Sequence, residues 1–496
     1  MAIVDLPDDI LLQVVLYLSV RDLLSLKQTC RVLHAFGSMD YVWHRITEDS
    51  DLLLNIPYDT SVIDLSADEL QRLTVDAIRL QANWRSHTPK LTRMVSLPTT
   101  SDALFEHLQF TPGGRWLLAI QGRYRRFEGR NYAIVSLWSL DDLKATRCVV
   151  QFELAGKYRA SDVVLHHEDE AATFAVAVNH DNHDFIEVRT FSLQDDFIHL
   201  SQISKSPSAS RRIELPPLSR SSHNVSITSL SVSDKAIVAS VTILGADGDD
   251  FSRVLFTRRD KGPVRWMSSE SANPIHPALT RLRGNSIIVF GHSAEGFVCR
   301  TYGLPLNVNS DGPVPNTQLS ANGSSDSLSE WGPLLSQSTC SQTNLRNLFP
   351  DPHTIPLASN RELAFMLTTG SAAHLMQFHL GSERGPLATE YSTVKSFPLL
   401  LQQDSSVRLL GVGSSGRRAV WMEYNMETTR SWLMRLEVLR DNQSNGRDAR
   451  VLKGVLLPPD PPLPFSIDAC HSLAFDEATC RLALGLWDGL HIIDFV

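Results

Sequence analysis

The sequence predicts an α+β multidomain protein in which a small all-α domain and a helical linker precede a large all-β domain. Apolar residues recur at intervals of three or four in the first part of the chain, as on one face of an α-helix. From residue 91 onward, short alternating runs bounded by turn residues predict β-strands, and these runs repeat. We therefore divide the 496 residues into an all-α segment at 1–48, a helical linker at 49–90 and a β domain at 91–496.

Two short apolar runs near the N-terminus are separated by the sequence SVRD at residues 19–22. Each run predicts a helix with one apolar face. The first run contains Ile10, Val14 and Leu18, and the second contains Leu23, Leu26, Cys30 and Leu33. Helices this short bury little core, so the segment is expected to need a partner that covers its remaining apolar surface.

The order of these residues resembles an F-box, whose pattern is Leu-Pro, a helix, Asp-Leu-Leu, a helix with Cys-Arg and a later Trp. The matching residues are Leu6, Pro7, Asp22, Leu23, Leu26, Cys30, Arg31 and Trp43. The resemblance implies docking on the Skp adaptor of cullin–RING ubiquitin ligases. The residues expected to bind this adaptor are Leu6, Pro7, Ile10, Leu11, Val14, Leu18, Leu23, Leu26, Cys30 and Trp43. A helical cap packed against the following domain is the alternative interpretation.

A longer helix is predicted in the linker, because Ser66 and Glu69 have the spacing of a capping box. Apolar residues then recur on one face at Leu70, Leu73, Ala77, Leu80 and Trp84. The run RLQANWRSH at 79–87 resembles the linker that joins F-box to propeller in many fungal F-box proteins. A plain amphipathic helix is the alternative, and both interpretations predict a rigid spacer.

Seven repeated units follow, each with a strand, a tight turn, an apolar strand, a polar hairpin loop and a further strand. Repeated sheets of this kind predict a β-propeller, and the seven units predict seven blades. The last unit, with Gly485, Asp488 and Gly489, resembles a WD-repeat blade, whereas most units lack the Trp-Asp and Gly-His signatures, so the propeller is degenerate. Six or eight blades, or a non-propeller β stack, are the alternatives.

Three further segments of the β domain carry their own predictions. Residues 201–224 and 307–344 are rich in Ser, Pro, Gly and Asn, and we predict long flexible loops there. The last unit is one strand short. Residues 91–97 have no other partner in the repeat plan, so we expect them to pair with the strands near residues 481–495.

Composition excludes several classes of function. A net charge of −9 disfavours general binding to nucleic acid or to anionic membranes. The first residues lack the basic region of a signal peptide, and no apolar run reaches the length of a membrane span. The six cysteines form neither a disulfide framework nor a zinc pattern. We therefore expect a cytoplasmic or nuclear protein.

Three motifs suggest chemistry, but their contexts argue against it. The run GVGSSG at 411–416 matches a dinucleotide fingerprint, yet β-type residues follow it where a helix is required, so we interpret it as a hairpin turn. The run GHSAEG at 291–296 lacks the final Gly of a nucleophile elbow. Histidines and acids at 166–169 and 180–184 have no metal-ligand spacing. We predict no catalytic residue, no metal and no cofactor.

One loop is a candidate for binding the target. Residues 121–130 (QGRYRRFEGR) combine four arginines with two aromatic side chains, and guanidinium groups bind anions well. The candidate residues are Arg123, Tyr124, Arg125, Arg126 and Arg130. A solvated hairpin loop is the alternative interpretation.

The resemblance implies a non-catalytic, substrate-recognition subunit of a Skp–cullin–F-box ubiquitin ligase. The helical segment would bind the Skp-type adaptor and the propeller would bind an unknown target protein. A propeller scaffold in a non-ligase complex is the first alternative. A propeller hydrolase or oxidoreductase is the second, and clustered acids or histidines at matched repeat positions, which would favour it, are missing from the sequence.

Overall fold

The N-terminal part of the chain folds into five α-helices. A computed structural model describes residues 6–49, 52–56, 60–99, 103–111, 113–166, 170–193, 207–216, 224–244, 251–260, 262–267, 276–293, 296–305, 328–329, 331–340, 362–368, 372–379, 394–439, 450–457 and 463–495. The helices are α1 (Asp8–Leu16), α2 (Val20–Lys27), α3 (Arg31–Phe36), α4 (Asp40–Asp49) and α5 (Ala67–Arg85). Ser19 caps α2 by accepting a hydrogen bond from the backbone N–H of Asp22, which explains the break between the first two helices.

Helix α5 belongs to two hydrophobic cores at once. The predicted capping box is present, with Ser66 and Glu69 bonding each other's backbone N–H groups. Leu70 and Leu73, in the first half of α5, pack with the buried side chains of the four N-terminal helices. Leu80 and Trp84, in the second half, pack with buried side chains of the β domain. The helix therefore connects the small domain to the β domain through packed side chains.

The strands of the described residues form seven sheets. The first contains β2 (Leu104–Phe110), β3 (Trp116–Arg125), β4 (Arg130–Ser139) and β5 (Arg147–Ala155); the second contains β6 (Lys157–His166), β7 (Ala171–His180), β8 (His183–Ser192) and β9 (Ala209–Glu214). The third contains β10 (Asn224–Val232), β11 (Ala236–Leu244), β12 (Phe251–Arg258), β13 (Arg265–Met267) and β17 (Leu328–Ser329). The fourth contains β14 (His276–Arg283), β15 (Ser286–Ser293), β16 (Gly296–Gly303) and β18 (Leu334–Cys340).

The remaining three sheets complete a ring. The fifth contains β19 (Glu362–Thr368), β20 (Ala372–His379) and β21 (Val394–Leu400), and the sixth contains β22 (Ser405–Val412), β23 (Arg418–Asn425), β24 (Arg430–Leu439) and β25 (Arg450–Val455). The seventh contains β26 (Cys470–Asp476), β27 (Arg481–Leu486), β28 (Leu490–Asp494) and β1 (Arg93–Leu97). Each sheet contacts the next along the chain, and the seventh contacts the first. This arrangement confirms the predicted β-propeller, and each sheet contains one of the seven repeated units.

The ring closes by pairing the two ends of the β domain. Strand β1 is antiparallel to β28, with Val95 opposite Ile492 and Leu97 opposite Leu490. The expectation that residues 91–97 supply the missing strand of the last unit is therefore confirmed. The physical reason is that an unpaired edge on β28 would leave backbone hydrogen-bonding groups without partners.

Two segments predicted to be loops contribute outer strands to three sheets, and one of these strands is the short β17, which pairs with β13. Strand β9 lies within residues 201–224 and pairs with β8, and its Ile213 is buried. Strand β18 lies within residues 307–344 and pairs with β16. Its serines at alternate positions, Ser336 and Ser338, are buried, so a polar composition hid the alternation of a strand. Most other residues of these segments lie outside the described ones.

The closing sheet also contains a histidine that should make stability depend on pH. His491 on β28 is buried and packs against Phe465, with ring centroids 4.4 Å apart and the rings tilted by 38°. Burial lowers the pKa of His491, although Asp488 opposes this shift. A lowered pKa in the folded state means that the unfolded chain binds the proton first. Above a pH of about 6.5, His491 is neutral in both states and does not reduce the free energy of unfolding. Below that pH, the free energy of unfolding should fall until the pH reaches the pKa of His491 in the folded state.

We expect His491→Phe to reduce this acid sensitivity, because the aromatic ring remains but cannot be protonated. The measurement is the urea midpoint of unfolding as a function of pH for the wild type and the variant. His87→Phe, at an exposed position, serves as the control and should leave the pH profile unchanged. Equal acid sensitivity in the wild type and His491→Phe would refute the assignment.

Candidate functional site

The outer face of α1 carries an apolar stripe that solvent reaches. Pro7, Ile10, Val14 and Tyr17 are spaced three or four apart, so they lie on one side of the helix. Pro7 is exposed, Val14 is half-buried, and Ile10 and Tyr17 are 40% and 90% exposed. A stripe of this kind on a small domain is typical of a surface that another protein covers.

Three of the residues expected to bind a partner are instead in the core of the small domain. Leu11, Leu23 and Trp43 are buried, and Trp43 donates a hydrogen bond from its indole Nε1 to the carbonyl of Gly37 over 2.9 Å. A partner cannot reach these side chains while the domain is folded. These side chains hold the helices in position, so they can support a contact with a partner only from within the domain.

The other predicted residues divide between support and surface. Leu6, Leu18 and Leu26 are partly buried and pack against the core of the small domain. Cys30 is exposed at the N-terminal end of α3. The sequence pattern did not indicate several apolar residues that are exposed: Tyr17, Val32, Met39 and Tyr41. Tyr17 could have been found, because it lies three residues after Val14 in the helical period.

The small domain is attached to the propeller by a buried cluster at the end of α5. Trp84 is buried between Phe475 and Phe495, with ring centroids 5.5 and 6.1 Å away. Arg85 binds Glu437 with two hydrogen bonds, from Nε over 2.9 Å and from Nη2 over 3.0 Å. These contacts join elements that are far apart in sequence. They make α5 a fixed connection, as the predicted rigid spacer requires.

Two further hydrogen bonds locate this attachment at one end of the propeller. The amide Nδ2 of Asn83 donates to the carbonyl of Phe495 over 2.6 Å, just after β28 ends. The guanidinium of Arg435 on β24 donates to the carbonyl of Ser86. Burial lowers the pKa of Arg435, and Glu437 opposes that shift.

The arginine-rich loop is the hairpin between β3 and β4. Arg125 is engaged within the hairpin: its guanidinium binds both oxygens of Glu153, at 2.9 and 2.8 Å, and lies over the ring of Tyr132. A hydrogen bond from Tyr132 lowers the pKa of Glu128, and Arg125 adds to this effect. Arg125 is thus part of the hairpin's own structure, not of a free anion-binding surface.

The rest of that hairpin faces solvent. Tyr124 and Phe127 are exposed, as are Arg126 and Arg130, and Arg123 is half-buried. The side chain of Phe127 is fully exposed, so its apolar surface is not buried against any described residue. The hairpin therefore exposes two aromatic rings beside the guanidinium groups of Arg126 and Arg130.

The glycine-rich run at 411–416 forms the hairpin turn between β22 and β23, as predicted. Its backbone amides already bind a carboxylate. Glu477 of the neighbouring sheet accepts hydrogen bonds from the N–H groups of Ser415, Arg417 and Arg418, each over 2.7 Å. Burial raises the pKa of Glu477, and these hydrogen bonds oppose the shift. The run therefore joins two sheets of the propeller.

The other suggested motifs also have structural surroundings. Strand β15 ends at Ser293 and β16 begins at Gly296, so the GHSAEG run lies at a hairpin. His166 contacts Thr173 over 2.8 Å and Asp234 over 2.8 Å. His167, Glu168 and Asp169 lie outside the described residues. In the described part of the chain, no helix has the length and apolar character that crossing a membrane requires.

The fold and the exposed helical surface together define a protein with an F-box-like domain and a β-propeller. The family model described as F-box-like matches residues 3–49, which include α1 to α4. This match agrees with the resemblance seen in the sequence and covers the small domain alone. No curated protein sequence matches the chain at a significant level.

Several solved structures are similar to the chain. The β-propeller domain of Cps50 (Swd1) from Myceliophteria thermophila matches 82% of this chain and 99% of that chain, with a TM-score of 0.45 and 10% identity. Dipeptidyl peptidase 4 from Porphyromonas gingivalis matches 71% and 46%, with a TM-score of 0.32 and 10% identity. The β-propeller domain of the Trilobed protease from Pyrococcus furiosus matches 68% and 94%, with a TM-score of 0.29 and 10% identity.

Proposed function

We propose that this protein is the substrate-recognition subunit of a Skp–cullin–F-box ubiquitin ligase. The observation that carries the proposal is the apolar stripe of Pro7, Ile10, Val14 and Tyr17 on an F-box-like domain. Such domains dock on Skp-type adaptors, and an adaptor would cover this stripe. The ligase role assigns the protein to the cytoplasm or the nucleus.

In this proposal the buried residues of the small domain set the geometry of the docking surface. Trp43 and Leu23 hold α1 against the other helices, so that Ile10 and Tyr17 project on one side. Tyr is frequent among the few residues that dominate binding energy, because it supplies a large contact area at a low entropic cost. We therefore expect Tyr17 to be a principal contact.

The propeller would bind the target, and α5 would set the distance between target and ligase. Ubiquitin transfer then requires no catalytic residue of this chain. A target held close to the charged conjugating enzyme reacts at a high effective concentration, and that effect depends on a rigid connection. The packing of Trp84 into the propeller and the pairing of Arg85 with Glu437 support such rigidity.

The test is co-elution with a purified Skp-type adaptor. Ile10→Ser together with Tyr17→Ser should lower the affinity by on the order of a hundredfold, since two central contacts are removed from the interface. Both positions are exposed, so the variant should unfold like the wild type. The matched control is Ile63→Ser, at an apolar position that is also exposed but lies outside the four F-box-like helices.

Undiminished adaptor binding by the double variant would show that this stripe is not the docking surface. Failure of the wild type to bind any Skp-type adaptor would reject the ligase role. Binding to the adaptor without recruitment of a cullin would favour the alternative of a non-ligase interaction scaffold.

A further inference from the structure

Three neighbouring sheets of the propeller each present an exposed apolar side chain at the turn between their second and third strands. Met426 lies in the turn between β23 and β24, Trp487 in the turn between β27 and β28, and Tyr124 and Phe127 in the hairpin between β3 and β4. Their exposed fractions range from 58% for Tyr124 to complete exposure for Phe127. We call these four residues the apolar arc.

The four residues lie at the same end of the propeller. Strand β26 contacts both β22 and β2 across the sheet boundaries, so each of the three is the innermost strand of its sheet. The turns between the second and third strands therefore all fall on one side of the ring. The sixth sheet contacts the seventh, and the seventh contacts the first. The apolar arc is therefore shared by adjacent sheets.

This end is opposite the one that holds the helices. Strand β28 begins beside Trp487 and ends beside Phe495, whose carbonyl accepts a hydrogen bond from Asn83. Met426 lies in the turn before β24, and Glu437, near the opposite end of that strand, binds Arg85. In both sheets the contact with α5 is thus at the end of the strand away from the apolar arc, so the F-box-like domain leaves it uncovered.

The charge beside Tyr124 and Phe127 indicates the kind of partner, whereas the turns of Met426 and Trp487 each carry one exposed acid, Glu427 and Asp488. The hairpin sequence RYRRFEGR at 123–130 contains four arginines and one glutamate, on a chain with a net charge of −9. Glu128 and Glu153 both form ion pairs with Arg125. Neither Arg123 nor Arg126 forms an ion pair with any described residue, and Arg130 is exposed at the same hairpin. An excess of positive charge therefore remains next to Tyr124 and Phe127.

We propose that the apolar arc and Arg126 and Arg130 bind an acidic, carboxylate-rich peptide segment that carries apolar side chains at intervals. The identification of that segment as part of a ubiquitination target rests on the proposed function, whereas the binding itself does not. Arginine forks pair with carboxylates through two parallel hydrogen bonds. The aromatic side chains supply rigid contact area, and an extended segment is the shape that reaches turns on successive sheets.

The experiment uses fluorescent peptides and the purified full-length chain, with binding measured by fluorescence anisotropy. The probe alternates glutamate and leucine. We expect it to bind, and we expect weak or no binding for peptides that alternate lysine and leucine or glutamate and serine. Affinity for the glutamate–leucine peptide should fall as salt is added, because the arginines are at the surface.

Two double variants separate the apolar and the charged contributions. Phe127→Ser with Trp487→Ser should weaken binding of the glutamate–leucine peptide by on the order of tenfold or more, and Arg126→Glu with Arg130→Glu by a similar factor. The charge control is Lys144→Glu, which is exposed at the other end of the first sheet. The apolar control is Ile63→Ser. Neither control should change the affinity.

Each contrary outcome overturns the proposal. Equal binding of the lysine–leucine peptide would show that the apolar arc binds apolar peptides without regard to charge. No binding of the glutamate–leucine peptide would show that the hairpin at 123–130 is exposed to solvent and binds no peptide of this kind. Binding of a phosphoserine–leucine peptide alone would assign the site to phosphate. Adaptor co-elution should persist in all these variants. If Ile10→Ser/Tyr17→Ser loses adaptor co-elution but still binds the peptide, the adaptor surface on α1 and the apolar arc are independent.

Discussion

Replacing Trp84 by Ala is expected to destabilise the protein by about 3–5 kcal/mol, the usual cost of deleting a buried aromatic side chain. Trp84 is 1% exposed and packs against Phe475 and Phe495. Its ring also lies 5.9 Å from the guanidinium carbons of Arg418 and Arg435. Truncation therefore leaves a cavity at the point where α5 enters the propeller core. The measurement is the shift of the denaturant midpoint of unfolding.

Trp487→Ala is the matched control, because the same side chain is 63% exposed at that position. We expect it to change the free energy of unfolding by less than about 0.5 kcal/mol, as is usual for surface substitutions. Equal effects of the two substitutions would contradict the packing described for Trp84. The Trp84 variant should also weaken the link between domains, which limited proteolysis within residues 60–90 would detect.

Removal of the Glu437 side chain is expected to cost about 3–5 kcal/mol, the usual penalty for breaking one partner of a buried ion pair. Glu437 is 2% exposed and accepts two hydrogen bonds from Arg85. Arg418, also 2% exposed, lies 3.7 Å from the same carboxylate. In Glu437→Ala, Arg85 can turn toward water, but the charge of Arg418 stays buried and loses this carboxylate. Urea unfolding of the variant provides the measurement.

The comparison for Glu437 is Glu153→Ala in the first sheet. Glu153 also binds an arginine through both oxygens, yet its side chain and that of Arg125 are partly exposed. Surface ion pairs of this kind contribute about 0–1 kcal/mol. If the two substitutions cost the same, burial does not decide the contribution of these pairs, and the proposed attachment of α5 through Glu437 would lose its energetic basis.

The sequence was most informative where a structural element depends on near neighbours. The capping box of Ser66 and Glu69 predicted where α5 begins, and both partners lie within one helical turn. The repeated units predicted the seven sheets, because each hairpin is built from adjacent strands. The missing strand of the last unit predicted its pairing with residues 91–97, since a strand edge needs a partner. The exceptions include β9 and β18, whose polar residues concealed their alternation, and the two-residue β17.

The candidate surfaces were only partly predictable. The resemblance to an F-box made both Ile10 and Leu11 expected adaptor contacts, although Ile10 is exposed and Leu11 is buried. Which of two adjacent residues points outward depends on where the other helices pack. The arginine count likewise did not show that Arg125 is held by Glu153, which comes from another strand of the sheet.

By itself, the sequence determined the order of the domains, the start of α5, the repeat plan and the strand that closes the ring, because these follow from periodicity and from local hydrogen bonding. Only the tertiary structure decided which side chains are available to partners. Arg85 meets Glu437 across 352 residues, and Trp487 and Phe127 come to one end of the ring from opposite ends of the β domain. Contacts of that kind depend on closure of the whole ring, so no local pattern encodes them.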